Sequence, residues 1–135
     1  MATQLRFLGV DDVLAIHEDT IEHEGGKAGL FDPGLLESAS MMPQQQFGGK
    51  YLHPTLASMA AAYLFHIAQN HPFHDGNKRV AAMAALVFLQ VNGVRRLPTP
   101  KGLERIMISV AAGETSKEEP TEWMDKQVGG PGRAA

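Results

Sequence analysis

Nine residues near the middle of the chain, 71–79 (HPFHDGNKR), combine side chains that seldom occur so close together. They include two imidazoles, a carboxylate, a glycine, an amide and two cations, and long apolar stretches flank them on both sides. A short polar loop between two buried helices is an unfavourable place for charge, because removing charged groups from water costs free energy. We therefore infer that these side chains have a chemical role.

The first part of this segment suits a metal ion beside a general base. Asp75 offers carboxylate oxygens, and magnesium takes one or two carboxylates while phosphate oxygens and water complete its coordination shell. Histidine is the side chain that titrates nearest to neutrality, so His71 is the candidate for proton abstraction.

The second part suits an anion. Gly76 permits a positive φ or a close approach of the backbone that any Cβ would block. Asn77, Lys78 and Arg79 would lie at the start of the next helix, where free N–H groups and the helix dipole attract phosphates. Together the two parts are what phosphoryl or nucleotidyl transfer from a nucleoside triphosphate to a hydroxyl requires.

The bulk composition predicts one soluble globular domain. The chain has 135 residues, of which 44% are hydrophobic and 20% charged. Its net charge of −3 predicts no general affinity for nucleic acids or membranes, and without cysteine it has no disulfide or thiolate chemistry. The N-terminus does not read as a signal peptide and no apolar run is long enough to span a bilayer, so we expect a cytoplasmic protein.

Apolar periodicity predicts an all-α fold. The predicted helices cover residues 10–24, 33–40, 54–69, 78–90, 101–112 and 118–128. The helix over 78–90 is almost wholly apolar, and we expect it to be the buried central helix. Residues 41–53, with a proline, three glutamines and a Gly-Gly pair, predict an irregular or hairpin-like flap. We expect a single domain over residues 1–128, followed by a disordered tail at 129–135.

The residue order HPFHDGNKR strongly resembles the signature of the Fic/Doc superfamily, H-x-F-x-[DE]-[GA]-N-x-R. It is closer to the Doc (death-on-curing) branch, which carries Asn-Lys-Arg where most Fic proteins carry Asn-Gly-Arg. Residues 13–34, 88–93 and 111–114 also resemble Doc. The resemblance covers most of the chain and implies a helical bundle of the Fic/Doc type.

The resemblance also implies a role for each matching residue. His71 would accept the proton of the target hydroxyl, Phe73 would be a buried anchor of the loop, and Asp75 would bind Mg²⁺. The implied phosphate ligands are Gly76, Asn77, Lys78 and Arg79.

Lys78 decides which transfer the resemblance implies. Most Fic proteins transfer AMP, whereas Doc toxins transfer the γ-phosphate of ATP to a threonine of elongation factor Tu and so stop translation; the lysine is thought to reverse the nucleotide. Ala82 stands where many Fic proteins have a second arginine, which also favours the kinase, although Gly76 matches Fic more closely than Doc. The resemblance further implies a Phd-like antitoxin that folds on binding. We find no Fic-type inhibitory motif, [ST]-x-x-x-E-[GN], around residues 19–22, so we expect inhibition to come from this partner.

Other interpretations stay open. The chain could be an AMP transferase of the Fic type, or a catalytically silent binding module. It could also be an HD-type metal-dependent phosphohydrolase using His74 and Asp75, although the neighbouring Pro72 and Gly76 disfavour the continuous helix that such a site needs. The loop could also be a solvated connection in which Asp75 or Asn77 caps the next helix. We expect the remaining histidines to be ordinary core or surface residues: His17, His23, His53 and His66.

Overall fold

The computed structural model describes residues 4–128, so the predicted tail at 129–135 lies outside the described residues. The fold is all-α, as predicted, with six helices, one 3-10 turn and one short hairpin. The α-helices are α1 (Val10–Glu24), α2 (Pro33–Met41), α3 (Leu56–Asn70), α4 (Asn77–Val91), α5 (Pro100–Ala111) and α6 (Glu118–Gln127). The 3-10 turn covers Met42–Gln44, and the two strands are β1 (Gln46–Phe47) and β2 (Lys50–Tyr51).

The core is built around α3 and α4, which pack against each other. α3 also contacts α2, α5 and α6, and eleven of its fifteen residues are buried, against six of fifteen in α4. The predicted central helix therefore shares the centre with α3, which is the more deeply buried of the two. Alanines supply many of the buried positions on both helices: Ala57, Ala60, Ala61, Ala62, Ala68, Ala81, Ala84 and Ala85.

Local capping explains where the helices begin. The Asp32 side chain accepts a hydrogen bond from the Leu35 N–H, with Pro33 in the first turn, as the sequence predicts. The prediction for the third helix was wrong at its start, because α3 begins at Leu56 and not at residue 54. The reason is a reciprocal cap, in which Thr55 accepts from the Ser58 N–H at 3.0 Å and Ser58 accepts from the Thr55 N–H at 2.9 Å.

The predicted flap is a hairpin. β1 pairs antiparallel with β2, Gln46 opposite Tyr51 and Phe47 opposite Lys50. Gly48 and Gly49 form the two-residue turn with φ of +59° and +79°, which glycine adopts without steric cost. Phe47 is 81% exposed beside that turn, so the hairpin presents an aromatic ring to solvent.

The N-terminal segment is attached to α3 through one buried phenol. The Tyr63 hydroxyl accepts a hydrogen bond from the Leu8 N–H at 2.7 Å and donates to the Leu8 oxygen at 3.0 Å. This contact holds the start of α1 beside the core. Within residues 4–128, no helix combines the length and apolar character that crossing a bilayer requires.

Candidate active site

The polar loop begins at the C-terminal end of α3. His71 caps that helix in the left-handed region, with φ +49° and ψ +57°, and its N–H donates to the Ile67 oxygen at 3.2 Å. Among residues 4–128 it is the only non-glycine residue with positive φ. Such a conformation costs energy for a side chain with a Cβ, and it is often found at functional sites. Here it ends α3 and leaves the imidazole exposed in the pocket described below.

Asn77 closes the loop upon itself. Its Oδ1 accepts a hydrogen bond from the Phe73 N–H at 2.9 Å, and its Nδ2 donates to the Phe73 oxygen, also at 2.9 Å. The amide predicted to bind phosphate is therefore used to hold the loop. What Asn77 offers to an anion is its backbone N–H in the first turn of α4.

The loop also rests on the segment between α1 and α2. The Pro72 oxygen accepts hydrogen bonds from the N–H groups of Phe31 and Asp32 at 2.8 and 3.0 Å. The His74 N–H donates to the Gly29 oxygen at 3.2 Å. Between these contacts Phe73 is 3% exposed, which is the burial expected of a loop anchor.

Asp75 is exposed but held by backbone donors. Its Oδ2 accepts from the Lys27 N–H at 3.0 Å and its Oδ1 from the Gly76 N–H at 2.9 Å. The bond from Lys27, followed by that from Gly76, holds the pKa of the Asp75 carboxyl below its usual value. Gly26 is required beside it, because a Cβ there would lie 2.7 Å from Asp75 Oδ2. The carboxylate is thus ionised and fixed in direction.

The N-terminus of α4 is open. Gly76 is the N-cap residue, with φ +78° and ψ +12°, and no side chain accepts from the first N–H groups of the helix. Neither Asp75 nor Asn77 caps α4 with its side chain, so the interpretation that one of them caps this helix was wrong. Free N–H groups, the helix dipole and the exposed side chains of Lys78 and Arg79 all favour an anion at this point.

A pocket of about 420 Å³ lies over this helix end. Six of the seven predicted site residues line it, and the seventh, Phe73, packs beneath the loop. The predicted residues in the lining are His71, Asp75, Gly76, Asn77, Lys78 and Arg79. A candidate base, a carboxylate and an anion site therefore meet in one volume large enough for a triphosphate.

Sequence reasoning missed the contribution of α1 to this pocket. Glu24 lines it and forms an ion pair with Arg79, and Thr20 lies one turn earlier. The prediction that the inhibitory motif of Fic proteins is absent was wrong, because Thr20, Glu24 and Gly25 have its spacing, [ST]-x-x-x-E-[GN]. A carboxylate of this chain thus already pairs with Arg79, one of the predicted phosphate ligands.

The donor set fits a metal ion that is shared with a phosphate. Within the described part of the chain, no three His, Cys, Asp or Glu side chains converge as a metal site. Asp75 alone offers a fixed anionic oxygen beside the anion site, and magnesium held by one carboxylate plus nucleotide phosphates needs no more. His74 and Asp75 lie in the loop between α3 and α4 and not within a helix, which disfavours the HD-type interpretation.

The remaining histidines have no predicted role in the site, although His74 also lines the pocket. His74 is exposed and packs edge-on against Phe31. His53 is buried, and His66 is partly buried with its Nε2 at 3.3 Å from the Lys117 ammonium. Burial, followed by the charge of Lys117, lowers the pKa of His66 to about 4.

Comparison with known proteins agrees with this geometry. The sequence matches the Fic/DOC family over residues 7–89, which include α1 to most of α4. It is 33% identical over 112 residues to a protein named "Protein kinase doc" from Escherichia phage P1, covering 83% of this chain and 87% of that protein. It is also 45% identical over 71 residues to "Toxin Doc" from Mycolicibacterium smegmatis, covering 53% of this chain and 55% of that protein. The chain belongs to the Fic/Doc family, and within it to the Doc branch.

Proposed function

We propose that this chain is a Doc-type toxin that transfers the γ-phosphate of ATP to a serine or threonine hydroxyl of a translation protein in the cytoplasm. A threonine of elongation factor Tu is the leading candidate target. The observation that carries the proposal is the pocket over the start of α4, where His71, Asp75 and the free N–H groups of the helix face one volume. The name of the phage relative, "Protein kinase doc", supports the kinase over other transfers.

Each group in the pocket has a task in this reaction. The imidazole of His71 accepts the proton of the target hydroxyl as that oxygen attacks the γ-phosphorus, the bond from this phosphorus to the β–γ bridging oxygen breaks, and ADP leaves. The N–H groups at the start of α4, with Lys78 and Arg79, hold the phosphates and stabilise the charge that develops on their oxygens. The Asp75 carboxylate, fixed by the N–H groups of Lys27 and Gly76, would hold Mg²⁺. When bound, the ion neutralises charge on the phosphate oxygens.

Two side chains of α4 favour phosphate transfer over AMP transfer. Lys78 is exposed in the first turn, where it adds a cation that a glycine would lack. Ala82, one turn later, is partly buried and offers no second cation. Two observations are on the side of AMP transfer: the Fic-type inhibitory spacing of Thr20, Glu24 and Gly25, and the glycine at position 76. In its αL conformation it is favoured over alanine, because αL is costly for any residue with a Cβ.

The hairpin is a suitable platform for the target. Its strands have two paired positions each, so outer N–H and C=O groups remain available to an extended peptide. Phe47, exposed beside the turn, can pack on an apolar residue of that peptide. Pairing of this kind needs little sequence specificity from the target, since backbone groups do most of the binding.

A Phd-like antitoxin would have an apolar groove available beside the same pocket. The groove lies between α4 and α5, has a volume of about 460 Å³ and includes Met83, Leu86, Met107 and Ile108. It begins at Lys78 and Arg79. An amphipathic antitoxin segment that folds in this groove would therefore end at the phosphate ligands and obstruct the nucleotide.

The decisive experiment uses ATP labelled at either the γ- or the α-phosphate. The purified chain is incubated with Mg²⁺ and elongation factor Tu, and the label on the target is measured. We expect label from γ and none from α, and a change in target mass equal to one phosphate. Label from α would make the chain an AMP transferase and overturn the kinase.

Two neighbouring histidines provide the matched variants. His71→Ala should remove transfer and relieve growth arrest, because the imidazole of His71 is the group proposed to accept the proton of the target hydroxyl. His74→Ala, in the same pocket but with no assigned role, should transfer label like the unaltered chain. If the unaltered chain releases inorganic phosphate and His74→Ala does not, the HD-type phosphohydrolase becomes the better interpretation. Growth arrest that persists in His71→Ala would leave only a binding module.

A further inference from the structure

A buried histidine of α1 contacts the loop from beneath. His17 is 5% exposed, and its Nε2 lies 2.9 Å from the backbone oxygen of Asp75. A carbonyl oxygen can only accept, so the imidazole donates from Nε2. This contact joins residues 58 positions apart and was not visible as a periodic pattern.

The plane of the imidazole is fixed by an aromatic ring of the same loop. The rings of His17 and Phe73 are parallel within 5°, with their centroids 3.9 Å apart. Both side chains are buried, so neither ring can turn without opening the core beneath the loop. The stack therefore directs the Nε2–H of His17 at one acceptor.

That acceptor belongs to the peptide unit that joins Asp75 to Gly76. The oxygen of this peptide accepts from His17, and its N–H, on Gly76, donates to Asp75 Oδ1 at 2.9 Å. Rotation of the peptide would break both bonds together. His17 thus determines indirectly where the Asp75 carboxylate points.

The neighbouring contacts show that α1 supports this peptide closely. A Cβ on Gly76 would lie 3.6 Å from Ile21 Cδ1 and 3.8 Å from His17 Cδ2, which is ordinary packing distance. The other oxygen of Asp75 accepts from Lys27, just beyond the end of α1. The carboxylate is therefore held between the side chain of His17, acting through the peptide, and the backbone after α1.

We propose that His17 is a positioning residue, which fixes the Asp75–Gly76 peptide and so orients the carboxylate that shares Mg²⁺ with the nucleotide. The inference rests on the proposed function, since it concerns a nucleotide bound together with a metal. His17 does not touch the nucleotide or the target. Substitution of His17 should raise the Mg²⁺ concentration that ATP binding requires. It should leave the binding of phosphate by α4 nearly unchanged.

Two substitutions separate the hydrogen bond from the stack. His17→Phe keeps a ring against Phe73 and removes the donor to Asp75, whereas His17→Gln keeps an amide N–H near the position of Nε2 and removes the ring. The measurement is binding of ATP by titration calorimetry, at increasing Mg²⁺ and in a metal-free buffer with a chelator. His23→Phe, an exposed site on the same helix, is the matched control.

We expect His17→Phe to need about tenfold more Mg²⁺ for half-maximal ATP binding, the effect of losing one backbone hydrogen bond. Metal-free ATP binding should change less than about twofold, because the N–H groups of α4 stay in place. His17→Gln should lie close to the unaltered chain in its Mg²⁺ requirement, and in the transfer assay His17→Phe should lower kcat more than it raises KM.

Three outcomes would count against the inference in different ways. An unchanged Mg²⁺ requirement in His17→Phe would overturn it, as would a His17→Gln variant as impaired as His17→Phe. If the unaltered chain shows no Mg²⁺-dependent ATP binding, the proposed function itself fails. Thermal unfolding checks each variant, and if His17→Phe does not fold, His17→Met replaces it, since methionine fills the space without a donor.

Discussion

The two ends of α4 use the same device for different purposes. At the N-terminal end, the amide of Asn77 forms one bond with the N–H and one with the oxygen of Phe73. At the C-terminal end, the amide of Asn92 does the same to Arg6, at 2.9 and 2.8 Å. In each case one asparagine side chain holds a passing piece of backbone against the helix.

The two ends differ in whether the backbone groups of the helix remain free to bind other partners. At the C-terminal end the last carbonyls are satisfied, since Phe88 and Leu89 accept from Asn92 and Val94, and Gln90 accepts from Gly93. At the N-terminal end no side chain caps the first N–H groups, and two cations follow. An asparagine amide is therefore found at both ends of α4. The end at Asn92 is closed, and the end at Asn77 stays open for an anion. A polar residue near a helix end indicates function only when the helix groups beside it stay free.

Replacing the two asparagines should break this comparison most strongly. Asn77→Ala should lower kcat/KM for phosphate transfer by about 100-fold, because a displaced loop misplaces both His71 and Asp75. Asn92→Ala should leave kcat/KM within about twofold and lower the free energy of unfolding by about 1–2 kcal/mol. The measurements are steady-state transfer kinetics and urea unfolding of both variants. Equal losses of kcat/KM would show that the two ends do not differ in function.

Acid pH should affect the N-terminal end of α4 and the contact of α3 with α6 differently, because their titratable groups have different pKa values. The lowered pKa of Asp75 keeps its carboxylate ionised in mild acid, whereas His66 is held neutral beside Lys117. The unfolded chain binds a proton at His66 near pH 6.5, but the folded chain only near pH 4. Stability from this site is therefore complete above pH 6.5 and is lost as the pH falls from 6.5 towards 4.

The expected loss is about 1 kcal/mol between about pH 7 and about pH 5, after allowing for screening of this partly exposed group. It is measured by urea unfolding at both pH values. His66→Gln, which cannot be protonated, should lose less stability over the same interval. His74→Gln, at an exposed histidine of the loop, should follow the unaltered chain. An equal acid loss in His66→Gln would place the sensitive group elsewhere.

The smallest expected effect concerns Glu24 of α1, which pairs with Arg79 at the open end of α4. Glu24→Gln should release Arg79 to the nucleotide and lower the KM for ATP by about threefold, the scale of an exposed ion pair. Glu22→Gln, exposed on the same helix, should leave the KM unchanged. A KM that rises in Glu24→Gln would mean that Glu24 helps to orient Arg79 rather than competing with phosphate.

The helices were predictable because their signals are local. The apolar period gave α1 its observed ends, Val10–Glu24, and Asp32-Pro33 gave the start of α2. The hairpin followed from Gly48 and Gly49. The start of α3 was placed two residues early, because the proline signal at 54 was read in place of the Thr55–Ser58 cap.

The site was predictable only as a set of residues in one segment. Their meeting in one pocket follows from the loop being short, but the role of the Asn77 amide depends on its reaching back to Phe73. The contacts of His17 and Glu24 join α1 to a loop more than fifty residues away, and no periodicity reports such distances. The spacing of the inhibitory motif could have indicated Glu24. For His17 the sequence indicated only a position on the apolar face of a helix.

The buried alanines of α3 and α4 also affect how such a chain can change over evolution. Larger side chains at these positions would overpack the core around the two helices and disturb the loop that joins them. The hairpin and the exposed face of α5 carry no such constraint. These outer segments can therefore be exchanged while the helix pair that carries the polar loop stays in place.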